Sequence, residues 1–137
     1  MKITTTFNFN NVQSGRIYDR NEINKALNDY VNKHNDNKMF GEIRNEREFD
    51  FDVIHLKDVS HEIKNISNDN DVVSIEVELL DTPKGKLVQE MVNAGYSISI
   101  HPRMYGHTED VIDEDGNVVY KKTVIDNIIS FDIDINK

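Results

Sequence analysis

Hydrophobic and polar residues alternate with a period of two over residues 3–9, which is typical of a strand with one buried face. The apolar positions of residues 22–33 instead recur at helical spacing. Asp19 precedes this segment and Glu22 follows three residues later, in the form of a capping box. Polar residues 34–38 predict a loop. The chain is therefore predicted to begin with a strand and an amphipathic helix.

The middle of the chain returns to strand-like alternation. The pattern covers residues 49–66 and again residues 72–80, and the polar residues 68–71 between them predict a turn. Two such segments joined by a short turn indicate an antiparallel hairpin.

A second helix is predicted where Thr82 and Pro83 provide an N-cap followed by proline in the first turn. Apolar residues follow at helical spacing until Gly95, which is typical of a helix end. Residues 96–103 then alternate as a strand, and we expect Pro102 to end regular pairing there or to mark a sheet edge.

The last part of the chain predicts further antiparallel strands. Residues 111–112 and 118–120 flank the tight-turn sequence of residues 114–117, and residues 124–135 alternate to the end. No repeat or linker interrupts the pattern. The sequence therefore predicts one α+β domain over residues 1–137, with about two helices and a mainly antiparallel sheet or barrel.

Composition excludes several classes of function. The chain has 137 residues, 16 Lys and Arg against 25 Asp and Glu, a formal net charge of -9 and no cysteine. Excess carboxylate argues against nucleic-acid or membrane partners, and the absence of cysteine removes disulfides, thiol catalysis and cysteine-bound metals. We also expect no membrane span and no signal peptide.

Metal binding is a weaker interpretation than a solvated loop. His101, His107, Glu109 and Asp110 lie close in sequence but lack the dense spacing of known metal motifs. Residues 113–117 lack the alternating acids and terminal glutamate of a calcium loop, so a hairpin turn is the preferred interpretation.

A row of nucleophile and base candidates lies along one predicted strand. Ser97, Ser99 and His101 share a face, and serine catalysis needs a base within hydrogen-bond reach. Side chains two positions apart are separated by about 6.5–7 Å at the backbone, which makes a direct bond between Ser99 and His101 awkward. A solvent-facing polar row is the preferred interpretation.

Six segments, taken in order, resemble one family. Residues 40–43 read Phe-Gly-Glu-Ile, residues 59–63 read Val-Ser-His-Glu-Ile and residues 79–86 read Leu-Leu-Asp-Thr-Pro-Lys-Gly-Lys. These segments resemble the Leu-Gly-Glu-Leu, Val-Ser-His and Ile-Leu-x-Thr-Pro-x-Gly-Lys motifs of the prohead maturation proteases of tailed bacteriophages. Three further segments resemble that family: residues 14–19, 94–106 and 128–133. The resemblance covers almost the whole chain and implies the serine protease fold shared with herpesvirus assemblin.

The same resemblance implies that catalytic residues are missing. Where the family carries its catalytic serine this chain has His101 and Pro102, and where it carries a histidine in Gly-His-Pro this chain has Asn45. Asn45 accepts no proton at neutral pH, and Pro102 has neither a hydroxyl nor a backbone N–H. If the protein were active, the remaining candidates would be Ser99, His101 and His61.

We therefore expect a non-catalytic virion structural protein, an auxiliary or decoration protein of a phage capsid. The expected partners are the major capsid protein or other virion proteins, self-association is left open, and no cofactor is implied. The expected location is the virion, and the host cytoplasm during assembly. One alternative is an active prohead maturation protease with a displaced serine site, and another is an acidic binding module with no viral role.

Overall fold

The computed structural model describes residues 1–10, 18–34, 38–44, 51–69 and 71–136. Two α-helices and six strands account for most of this part of the chain. In order they are β1 (Lys2–Asn8), α1 (Arg20–Lys33), β2 (Met39–Glu42), β3 (Val59–Asp69), β4 (Val72–Leu79), α2 (Pro83–Asn93), β5 (Ser97–Ile112) and β6 (Val118–Asn136), with a 3-10 helix (Leu56–Asp58) before β3.

The strands form two antiparallel sheets. One sheet has the order β1-β4-β3-β2, and β5 pairs with β6 in the other. Parallel bridges from Tyr18 to Thr123 and from Ile43 to Ile133 join segments of the first half of the chain to β6. The α+β class with a mainly antiparallel sheet and two helices is therefore confirmed.

Both helices begin at the predicted capping residues. The Asp19 side chain accepts a hydrogen bond from a first-turn amide of α1, and Thr82 Oγ1 accepts one from the Gly85 amide at 3.0 Å in α2. The α1 helix buries Tyr30 against Phe131 of β6, with ring centroids 5.4 Å apart. Buried side chains of α1, β3, β4, β5 and β6 share one core cluster, to which α2 adds Val88.

One prediction about the middle of the chain is wrong, and one strand was not predicted. Phe51 and Val53 lie in a turn and an irregular segment rather than in a strand, and their carbonyls accept hydrogen bonds from the Arg103 side chain. Phe49 lies outside the described residues. The short strand β2 was not predicted, because four residues are too few to show a period.

The predicted alternation also fails at the start of β3. Every residue from 59 to 63 is buried, and the register shifts between Ile63 and Asn65. Helix α2 packs against β3, and the His61 side chain reaches β6. Both faces of this segment are covered, and a doubly covered strand has no polar face.

Strand β5 does not end at Pro102. It continues to Ile112, and Pro102 is the register partner of Phe131 in β6. The alternative expectation of a sheet edge is correct among the described residues, because β5 pairs only with β6. Proline is tolerated on an edge strand because its missing N–H is not needed by a neighbour.

Candidate functional site

Strands β3, β5 and β6 bring the sequence-predicted site residues to one region of the molecule. In β5, His101 is the register partner of Asp132 and Pro102 is the register partner of Phe131. The Phe131 carbonyl lies 2.7 Å from Nε2 of His61 in β3. His61, His101 and Pro102 therefore lie on adjoining segments. Asn45 lies outside the described residues.

His61 is fully buried and both of its ring nitrogens are engaged. Nε2 donates to the Phe131 carbonyl, so Nδ1 accepts from the Ser60 hydroxyl at 2.7 Å. Burial lowers the pKa of His61 to about 4, and the Phe131 hydrogen bond and the Asp132 charge oppose this shift only in part. A neutral ring with both nitrogens bonded in the core is placed to stabilise the fold rather than to accept a substrate proton.

Gly41 of β2 lies directly against the His61 ring. A Cβ at Gly41 would approach His61 Nε2 to 2.3 Å and the Phe131 carbonyl to 2.4 Å, so only glycine fits there. This close approach explains why the Phe-Gly-Glu-Ile segment carries a glycine within a strand.

Ser99 and His101 form a contact that strand spacing did not favour. Ser99 Oγ lies 3.2 Å from His101 Nε2 and also contacts the Asn136 side chain at 3.4 Å. The long imidazole side chain closes the gap between residues on the same strand face. Partial burial lowers the pKa of His101, as does the Arg44 charge, whereas Asp134 raises it. A neutral His101 ring can accept the Ser99 proton.

Among the described residues, no carboxylate is hydrogen-bonded to the imidazole of this pair. The nearby carboxylate of Asp134 forms an ion pair with Arg44 at 3.8 Å, and no hydrogen bond joins it to His101 within the described residues. Pro102 offers no amide for an oxyanion. Within the part of the chain that the structure describes, Ser99 and His101 therefore form a hydroxyl–imidazole pair with no third group hydrogen-bonded to the histidine.

A buried ionic cluster lies in the same region and was missed by the sequence reasoning. Arg103 Nε lies 3.0 Å from Asp132 Oδ2 and 3.2 Å from Ser130 Oγ, and Nη2 lies 3.8 Å from Glu42 Oε2. The Ser130 hydroxyl donates to Asp132 at 2.8 Å. All four side chains are buried.

The Arg103 cluster links four segments of the chain. Besides β5, β6 and β2, it holds the segment before β3, because Arg103 Nη1 donates to the carbonyls of Phe51 and Val53 at 3.1 and 3.2 Å. Alternation placed Ser130 and Asp132 on the polar face of β6. The alternation does not show that Arg103 of β5 pairs with Ser130 of β6. This pairing places the guanidinium over the polar face of β6 and buries that face.

The metal candidates do not converge on one point. His107 lies between two carboxylates, Asp126 at 2.7 Å from Nδ1 and Glu109 at 2.9 Å from Nε2, and these hydrogen bonds raise its pKa. Neither His101 nor Asp110 joins them, and no group of three potential ligands that could hold a metal ion occurs in residues 1–10, 18–34, 38–44, 51–69 and 71–136.

The acidic segment of residues 113–117 is a hairpin turn, as preferred from the sequence. Asp113 Oδ1 accepts hydrogen bonds from the amides of Asp115 and Asn117, each at 2.9 Å, and Gly116 has a positive φ of 85°. Among the described helices, none is long and apolar enough to cross a bilayer.

Comparison with known proteins gives a match at the level of structure. No protein-family model and no curated protein sequence matches the chain. The fold is similar to the structure of the bacteriophage T4 capsid assembly protease, gp21, with a TM-score of 0.76 and 15% sequence identity over 97% of this chain and 80% of that one. At this identity the likeness shows the fold alone. The chain has the α+β fold of a phage capsid assembly protease.

Proposed function

We propose that the protein is a non-catalytic structural component of a phage virion, an auxiliary capsid protein that binds the major capsid protein. The observation that carries this proposal is the position of Pro102. By the resemblance Pro102 stands at the position of the family's serine, and its register partner Phe131 is hydrogen-bonded to His61, whose two ring nitrogens are both engaged in the core.

The fold supports a role in a capsid, because the similar T4 protein is a capsid assembly protease. Such an enzyme binds the shell or scaffold proteins it cuts. A chain that keeps the fold without a nucleophile at the serine position can keep that binding surface. The proposal places the protein in the virion, and in the host cytoplasm during assembly.

Intact-mass analysis of purified mature particles of the source virus tests this function. We expect the chain intact and in many copies per particle, with residues 1–137 accounting for 15.9 kDa of its mass. Absence of the chain from particles, or its presence only as fragments, would contradict a permanent structural role.

The contact between Ser99 and His101 favours a second candidate, a maturation protease with a displaced site. Under that candidate, Ser99→Ala would abolish cleavage of capsid or scaffold proteins during assembly. Ser97→Ala is the matched control, because Ser97 lies on the same strand face and has no hydrogen bond to a histidine among the described residues. Under the structural proposal, both variants assemble particles with wild-type protein processing.

The third candidate, an acidic binding module with no viral role, makes a separate prediction. The genes beside that of this protein would then encode neither a portal nor a major capsid protein.

A further inference from the structure

The outer halves of β5 and β6 form an arm that extends beyond the core. We define the arm as residues 110–122, the two strand ends and the turn between them. Residues 112–121 are all exposed, so the arm has solvent on both faces. A two-stranded ribbon without a third strand or a helix is marginally stable in water. The arm is therefore an element that a partner would stabilise.

The arm carries large apolar side chains in solvent. Four residues near the turn have exposed fractions of 53–60%: Ile112, Val118, Val119 and Tyr120. Ile112 is the register partner of Val118, so these two side chains lie on one face of the ribbon, whereas Val119 and Tyr120 are consecutive and point to opposite faces. Apolar residues concentrated on a projecting hairpin indicate a docking element rather than scattered surface residues.

The strand edge itself is poorly suited to pairing with another strand. Within the arm the register shifts between Val111 and Ile112, and nearer the core β5 has two further register shifts and Pro102. Proline and bulges are devices that protect an edge from strand addition. Docking therefore uses the apolar side chains of the arm rather than an added strand.

Charge favours a different protein over a second copy of this chain. The turn of the arm is acidic, with Asp113, Glu114 and Asp115 all exposed, and the whole chain has a formal net charge of -9. Two acidic turns brought together would repel, whereas a partner surface rich in Lys and Arg would attract them.

A cavity at the base of the arm extends the same surface. It has a volume of about 280 Å³, and its lining includes Tyr18, Met104, Thr108 and Ile125. This volume lies just below the range of roughly 300–1,000 Å³ for small-molecule sites, and it suits one or two side chains of a partner. His107 also lines the cavity.

We propose that the arm and the cavity at its base form the docking surface for the major capsid protein. The bound segment carries a large apolar side chain that enters the cavity, flanked by Lys or Arg that face the acidic turn. This inference rests on the proposed function and adds the site and the chemistry of the contact.

Binding to empty shells assembled from the major capsid protein of the same virus tests the inference. The test variant is Val119→Thr with Tyr120→Thr, which removes apolar surface and keeps residues suited to strands. The matched control is Leu56→Thr, which removes an apolar side chain that is 78% exposed outside the arm. A second test variant, Thr108→Trp, fills the cavity from its exposed rim.

We expect both test variants to bind shells at least about tenfold more weakly than the wild type, and the control to bind within about twofold. Circular dichroism and thermal unfolding check that all the variants fold. Wild-type binding with unchanged binding by both test variants would overturn the inference and leave the proposed function standing. Absence of wild-type binding would refute the proposed function itself.

Sedimentation of the free protein tests whether a second copy of this chain covers the arm instead. A wild-type dimer that becomes a monomer in the Val119→Thr, Tyr120→Thr variant would show that a second copy covers the arm, and it would overturn the inference. We expect a monomer in both cases.

Discussion

Replacing Arg103 with methionine is predicted to destabilise the fold strongly. Methionine fills much of the volume of the arginine stem but removes the guanidinium that contacts Asp132 at 3.0 Å and Glu42 at 3.8 Å. It also leaves the carbonyls of Phe51 and Val53 without that donor. The variant therefore keeps two buried carboxylates and loses the cation between them.

Removing one partner of a buried ion pair costs about 3–5 kcal/mol, because the remaining charge is left without compensation. Asp132 keeps its hydrogen bonds from the Ser130 hydroxyl and the Glu42 amide, which reduces the cost, whereas the two lost carbonyl bonds add to it. We expect a loss of about 4 kcal/mol. A chain of 137 residues has a total stability of roughly 7–20 kcal/mol, so the variant stays folded but is markedly weakened.

Urea unfolding at 25 °C and pH 7 measures this loss as a lower midpoint with an unchanged slope. Arg44→Met is the matched control, because Arg44 pairs with Asp134 on the surface at 3.8 Å and we expect its loss to cost at most about 0.5 kcal/mol. A loss below about 1 kcal/mol for Arg103→Met would refute the argument, since the carboxylates would not then depend on the guanidinium.

Three further predictions concern single residues. The pKa of His61 is about 4 in the fold and about 6.5 when unfolded, so its contribution is fully present above pH 6.5 and is lost as the pH falls from about 6.5 to 4. The loss is about 3 kcal/mol, and unfolding of His61→Gln as a function of pH should lack this component. Gly41→Ala should cost more than about 3 kcal/mol in thermal unfolding because its Cβ would meet the His61 ring and a carbonyl, whereas Gly95→Ala, strained only by a φ of 101°, should cost about 1 kcal/mol. Nuclear magnetic resonance titration should place the pKa of His107 above its ordinary value, and Asp126→Asn should lower it; equal midpoints in the two proteins would contradict the hydrogen bond between them.

The elements with local signals were predictable from the sequence. Asp19 and Thr82 mark the helix starts because their capping chemistry acts within one turn. The turn at Gly116 was predictable for the same reason. These signals need no knowledge of distant parts of the chain.

The buried polar residues were not predictable in this way. Asp132 and Ser130 follow the period of a solvent-facing row, and only the pairing with Arg103 across the sheet shows that this row is buried. Register between distant strands is set by the whole core. The sequence therefore placed His61, Ser99 and His101 on strands, whereas strand β2, the ionic cluster and the contact from Ser99 to His101 came from the structure.

The continuity of β6 gives the molecule two regimes of amide hydrogen exchange in one strand. Residues 128–133 are buried in the core, whereas residues 118–121 of the same strand are exposed at the arm. Amides near the core exchange only through large-scale unfolding, and those at the tip exchange through local fraying. The tip can thus adjust its shape on contact while its register stays anchored in the core, so a partner would order the arm without reorganising the body.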